Sequence, residues 1–136
     1  MKSLLLVEDH AVFAEAWVRV LHGKNNLQVV QVVDTAEKAL QVMAGLKVDL
    51  ALVVVDVSLP RMSGIELVSE LRRRYPELPC LMISGHMSGN YVRRSLEAGA
   101  RGYAIKDSAA GILEAIQRVL DGQIYVSKEI HSFNSV

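Results

Sequence analysis

The chain has 136 residues, a length that suits one compact domain. Hydrophobic residues make up 51% and charged residues 22%, which excludes the composition of a disordered chain. Fifteen basic residues balance fifteen acidic ones, so the totals show none of the broad positive character of a nucleic-acid binder, and no direct nucleic-acid binding is expected.

Lys2 to Val7 is a short apolar run that ends in two acids, and it reads as a buried strand. The start of the chain superficially resembles a signal peptide, but Glu8 and Asp9 interrupt the apolar stretch too early and no small-residue cleavage site follows. Phe13, Ala14, Trp17, Val18 and Leu21 recur at helical spacing, with Gly23 as the stop. The valine-rich run Leu27 to Val33 predicts a second strand. Ala36, Ala39, Leu40 and Met43 mark a second helix, capped by Asp34 or Thr35 and ending near Gly45.

Leu50 to Val55 is the most hydrophobic run, which predicts a central strand buried on both faces. Ser58 to Gly64, with Pro60 inside it, predicts a loop. Ile65, Val68, Leu71 and Tyr75 then follow at helical spacing as far as Pro76. Cys80 to Ser84 predicts a fourth strand, and Gly85 and Gly89 flank a flexible connection. The lone Cys80 cannot form an internal disulfide and reads as a small buried hydrophobe, which fits a reducing, cytoplasmic setting. Tyr91 to Ala98 predicts a helix, Gly102 to Ile105 a fifth strand, and Ile112, Ile116, Val119 and Leu120 one face of a last helix. No apolar run is long enough to span a bilayer, so no membrane partner is expected. Residues 1–127 read as one domain and 128–136 as a tail or the start of a linker.

Strict strand–helix alternation argues for a doubly wound α/β fold, a five-stranded parallel sheet with helices on both faces. Ligands of such sheets bind beyond the carboxyl ends of the strands. Those ends carry Glu8 and Asp9, Asp34, Asp56, Ser84 and Lys106. Asp34 is expected outside the cluster, as a helix cap, because the second strand should lie beyond the first. Clustered carboxylates repel, and a hard cation such as Mg²⁺ relieves the repulsion. An Asp carboxylate also attacks phosphorus, with nearby positive charge easing the transfer. The cluster therefore suits reversible phosphorylation of Asp56.

Glu8-Asp9, the stretch Asp56-Val57-Ser58-Leu59-Pro60-Arg61-Met62-Ser63-Gly64, Ser84, and Tyr103-Ala104-Ile105-Lys106 together resemble the signature set of response regulator receivers of two-component systems. The likeness runs from the first strand to the last helix. Ala98-Gly99-Ala100-Arg101-Gly102-Tyr103, Lys106-Asp107 and Gly122-Gln123-Ile124-Tyr125-Val126-Ser127 resemble the LuxR/NarL-type subgroup in particular. The resemblance implies a flavodoxin-like strand order of 2-1-3-4-5 and Asp56 as phosphoacceptor. It implies Mg²⁺ held directly by Asp9 and Asp56, by the backbone carbonyl of Ser58, and through water by Glu8. Ser84 and Lys106 would contact the phosphoryl group, and Tyr103 would be the aromatic switch that turns inward. The peptide bond from Lys106 to Asp107 is commonly cis in that family, at about 3–4 kcal/mol. The implied partners are a sensor histidine kinase or phosphotransfer protein, and a second copy meeting the face of the fourth helix, fifth strand and fifth helix. Such a protein is a regulatory phosphoacceptor, not an enzyme acting on an external substrate. Regulators of this subgroup usually continue into a helix-turn-helix domain, which the 136 residues do not include. Output is expected through such a domain or through partner contacts alone.

Two other functions share parts of this pattern. A haloacid-dehalogenase-type phosphatase also uses an Asp at a strand end with Mg²⁺, but needs a second acid two residues later, where this chain has Ser58. A flavodoxin-like electron carrier needs hydroxyls and glycine after the first strand to hold the phosphate of FMN, which Glu8 and Asp9 would repel. His10 and His86 are expected near the mouth of the site, His22 and His131 on the surface. Arg72 to Arg74 reads as a solvated helical face.

Overall fold

The computed structural model describes residues 1–46, 49–85 and 88–127. The expected tail 128–136, His86 and His131 lie outside the described residues, as does the middle of the connection between Gly85 and Gly89. Strands and helices alternate as β1 (Lys2–Val7), α1 (Ala11–Leu21), β2 (Leu27–Val33), α2 (Ala36–Gly45), β3 (Leu50–Asp56), α3 (Gly64–Arg74), β4 (Cys80–Ser84), α4 (Gly89–Ala98), β5 (Gly102–Ile105) and α5 (Ala109–Leu120). A two-residue strand, β6 (Tyr125–Val126), follows. The sheet is parallel in the order β2-β1-β3-β4-β5-β6, so the five-strand expectation is corrected to six. Two residues are too few to show a periodicity, which is why β6 escapes a reading by pattern.

Side chains along a strand alternate between faces, and the core divides accordingly. Leu5, Val7, Val53 and Val55 face one way and pack with Ala36 and Ala39 of α2, Leu67, Val68 and Leu71 of α3, and Val92 of α4. Leu4, Leu6, Leu52 and Val54 face the other way, against Ala14, Trp17 and Leu21 of α1 and Ile112, Ala115, Ile116 and Val119 of α5. Cys80 is buried, as expected. Phe13 is not core: it is 43% exposed at the start of α1. Among the described residues, no helix is long and apolar enough to cross a membrane.

Local chemistry sets the helix starts. Thr35, and not Asp34, caps α2, its hydroxyl accepting from the Lys38 amide at 3.1 Å. Asp34 instead pairs with Lys38 at 2.9 Å, and this contact holds its carboxyl below the usual range. Ser63 and Glu66 form a capping box on α3. The basic run is a solvated face, in which Arg73 and Arg74 both reach Glu70.

Ladder hydrogen bonds continue past the strand ends and hold the tips level. The Glu8 amide donates to the Val33 carbonyl at 2.9 Å, the Val57 amide to Ile83 at 3.0 Å, and the Lys106 amide to Ser84 at 2.9 Å. Glu8, Asp56, Ser84 and Lys106 thereby share one end of the sheet.

Candidate functional site

Asp56 is the last residue of β3 and is 2% exposed. Its Oδ1 accepts from the Ser58 amide at 3.0 Å, and its Oδ2 accepts from Lys106 Nζ at 3.1 Å. The loop that follows turns back through Arg61, a non-glycine residue in the left-handed region at φ 60°. The chain then enters α3 at Gly64, whose amide donates to the Val57 carbonyl at 3.1 Å. A Cβ on Gly64 would stand 2.1 Å from the Asp56 carbonyl oxygen. Only glycine lets the helix start this close to the strand tip.

Glu8 is buried at the tip of β1. Its Oε1 lies 2.6 Å from Lys106 Nζ, so one ammonium joins the carboxylates of β1 and β3. Burial alone would push the Lys106 ammonium down, but Glu8 and Asp56 outweigh it and hold the group above its usual value. Burial and the neighbouring Asp56 push the Glu8 carboxyl up. Burial also acts to raise Asp56, but Glu8, the Ser58 amide and Lys106 together hold that carboxyl below its usual range. Two buried carboxylates thus face one ammonium, a surplus of negative charge that suits a bound cation.

One ligand atom from each of Glu8, Asp9, His10 and Asp56 falls within 4.8 Å of all the others. Asp9 therefore faces the cluster and does not cap α1; the cap residue is His10, without a side-chain hydrogen bond to the helix. The sequence places His10 only near the mouth, whereas its Nδ1 lies 3.3 Å from Glu8 and 3.4 Å from Asp9. Its place directly after Glu8-Asp9 is the signal for this. Phe13, one helical turn on, meets the His10 ring edge-to-face, and its own ring lies 5.1 Å from Lys106 Nζ. Asp34 stands outside the cluster, as expected.

Ser84 is fully buried at the end of β4, one residue past Ile83, which pairs with Asp56. Tyr103, on β5, is fully buried and thus inward. Burial raises its phenol, against a smaller opposing effect of the Ser84 hydroxyl. β6 fixes this strand: the Ser127 amide donates to the Tyr103 carbonyl at 3.0 Å, and the Ile105 amide to Ser127 Oγ at 3.1 Å. The bond from Lys106 to Asp107 is trans, since the described residues contain no cis peptide. The trans form avoids the penalty of a non-proline cis bond, and Lys106 reaches both carboxylates without it. Ser58 offers Asp56 an amide and no acid, so the general acid/base of the phosphatase alternative is absent from its expected position.

Residues 4–118 match the response regulator receiver domain family. The chain is 37% identical to the transcriptional activator protein ExaE of Pseudomonas putida over 130 residues, covering 94% of this chain and 59% of that protein. It is 33% identical to the response regulator GacA of Pseudomonas viridiflava, over 96% of this chain and 60% of that one. The chain spans little more than half the length of the curated relatives it matches. A crystal structure of a LuxR-family two-component response regulator from an Aurantimonas species superposes with a TM-score of 0.89, at 27% identity, over 96% of this chain and 92% of that one.

Proposed function

The chain belongs to the response regulator receiver family, and from that premise we propose that Asp56 accepts the phosphoryl group from a phosphohistidine of a sensor kinase or phosphotransfer protein. The observation that carries this reading is the setting of Asp56, a buried carboxylate at a strand tip, gripped by the Ser58 amide and Lys106 beside Glu8 and Asp9. In the transfer, an oxygen of Asp56 forms a bond to phosphorus as the bond from phosphorus to the donor's imidazole nitrogen breaks. The proton needed by the leaving imidazole stays with the donor side.

The carboxylates of Glu8, Asp9 and Asp56 are hard oxygen donors, which fit Mg²⁺. Asp9, Asp56 and the Ser58 carbonyl would hold the ion directly and Glu8 through water. When bound, it supplies positive charge to the phosphoryl oxygens. Lys106 would exchange its contact with Asp56 for a phosphoryl oxygen, as a positioned cation. The Ser84 hydroxyl would donate to another. Ser84 lies on β4 and Lys106 at the end of β5, so their movement reaches Tyr103 on the adjoining strand. We read the resulting change on the α4-β5-α5 face as the output, felt by a second copy of the chain or by a transcriptional output domain. The setting that fits is the cytoplasm, where such kinases present their phosphohistidine.

Incubation with acetyl phosphate and MgCl₂, followed by intact mass spectrometry, tests the reading. One phosphoryl group should appear on the wild-type chain and none on Asp56→Asn. Equal labelling of the two would assign the chemistry to another residue.

A further inference from the structure

The stretch Gly122 to Ser127 carries part of the family likeness but has no task in phosphoryl transfer, yet its last residue grips the strand that leads to Lys106. β6 pairs with β5 in parallel register, Tyr125 opposite Gly102 and Val126 opposite Tyr103. The Tyr125 amide donates to the Arg101 carbonyl at 3.1 Å and the Ser127 amide to the Tyr103 carbonyl at 3.0 Å. Bonds of a parallel ladder are evenly spaced, so the next rung would bring the Ile105 amide to the main chain of residue 127. The hydroxyl of Ser127 takes that rung instead, its Oγ accepting from the Ile105 amide at 3.1 Å in a buried bond. β6 stops after two residues, and this side chain extends its hold to the tip of β5.

The next amide along is that of Lys106, which donates to the Ser84 carbonyl at 2.9 Å. Consecutive amides at the tip of β5 are thus tied to β6 on one side and β4 on the other. From this anchor the Lys106 side chain works at long reach. β5 stands two strands from β3 and three from β1, about 10 and 14 Å at the usual strand spacing. Across that gap Nζ lies 3.1 Å from Asp56 Oδ2 and 2.6 Å from Glu8 Oε1. A four-carbon stem that reaches past β4 has little slack, so a shift at its backbone origin is passed on to Nζ. Ser127 is buried, and without its hydroxyl the amide one residue before Lys106 loses its acceptor.

We infer that Ser127 is a positioning residue of the phosphoryl site: through the Ile105 amide its hydroxyl fixes the tip of β5, the point from which Lys106 reaches Asp56 and the group that Asp56 accepts. A bond that served only to dock β6 would make the same contact but would not act through Lys106, and this separates the two accounts. The inference rests on the reading of Asp56 as the acceptor and of Lys106 as its positioned cation.

Labelling by acetyl phosphate with MgCl₂, followed in time by intact mass spectrometry, tests it in a double-mutant cycle of Ser127→Ala and Lys106→Ala. Ser127→Ala should slow the labelling of wild type about fivefold and change that of Lys106→Ala by less than about twofold. Tyr125→Phe removes a different tie of β6, the hydroxyl bond to Glu114 at 3.3 Å. That variant should label within about twofold of wild type. Exchange of the Ile105 amide, read by NMR, should be about tenfold faster in Ser127→Ala. Equal slowing in the two backgrounds, equal slowing by Tyr125→Phe, or an unchanged rate in Ser127→Ala would overturn the inference while Asp56 stood as acceptor. So would unchanged exchange at Ile105. A wild-type chain that takes no label, or an Asp56→Asn chain that labels equally, would overturn the underlying reading and the inference with it.

Discussion

Replacing Gly64 with alanine perturbs the junction on which the acceptor loop depends. The added Cβ would meet the Asp56 carbonyl oxygen at 2.1 Å, with the Asp56 carbonyl carbon and Val57 Cα both at 2.9 Å. A relaxed carbon–oxygen contact lies at about 3.3–3.6 Å, so the helix start and the strand tip must separate by more than about 1 Å. Both partners are backbone, and the Gly64 amide is tied to the Val57 carbonyl, so no flexible side chain absorbs the shift. Overpacking of this kind costs about 1–3 kcal/mol or more, against at most about 1 kcal/mol regained from the better helix propensity of alanine. A net loss of about 2 kcal/mol is expected in urea unfolding, read by the fluorescence of Trp17, the single tryptophan and a buried one. Displacement of Asp56 by about 1 Å should also slow labelling by acetyl phosphate as much as about 100-fold. Gly45 is the matched control: a Cβ there meets nothing within 4 Å, so Gly45→Ala should be neutral or mildly stabilising. Wild-type stability and labelling in Gly64→Ala would refute the reasoning.

Burial pushes the Cys80 thiol up to about 12. The folded chain then keeps a proton that the unfolded chain releases above about pH 9, so stability falls as pH rises from there toward 12 and is unaffected by this group below it. Between pH 8 and pH 10, wild type should lose about 1.4 kcal/mol more than Cys80→Ala, measured by urea unfolding at each pH; parallel losses would contradict the burial. Ser63→Ala removes one half of the capping box of α3 and should cost about 1 kcal/mol in the same assay, with no loss of labelling at saturating acetyl phosphate. A Ser63→Ala chain as stable as wild type would show that the cap is not formed.

Much of this molecule is written in local pattern. The run Leu50 to Val55 announces a strand buried on both faces because it has no polar alternation, and its two flanking cores bear that out. The site was legible because a parallel α/β sheet gathers strand ends at one edge, which turns Glu8, Asp9, Asp56, Ser84 and Lys106 from a scattered set into neighbours. Helical spacing groups Phe13 with Ala14, Trp17 and Leu21 but tells only which way a residue points, not whether anything stands there; α1 begins over the site and leaves the ring half in water. The choice between Asp34 and Thr35 as cap depended on which oxygen meets an amide, a matter of φ and ψ that composition does not carry. β6 is set by pairing with β5 and not by its own two residues. His10 required distances: adjacency to Glu8-Asp9 put it near the mouth, and only the turn from β1 into α1 aims its ring at three carboxylates.

The most direct test of the account is to locate the phosphoryl group itself. An acyl phosphate can be reduced with borohydride, which leaves a permanent mark on the side chain that bore it, and peptide mass spectrometry then reads its position. After acetyl phosphate treatment with MgCl₂, the mark should fall at residue 56. A mark at Glu8 or Asp9, or on any other residue with Asp56 unmodified, would contradict the assignment from which every other role in the site follows.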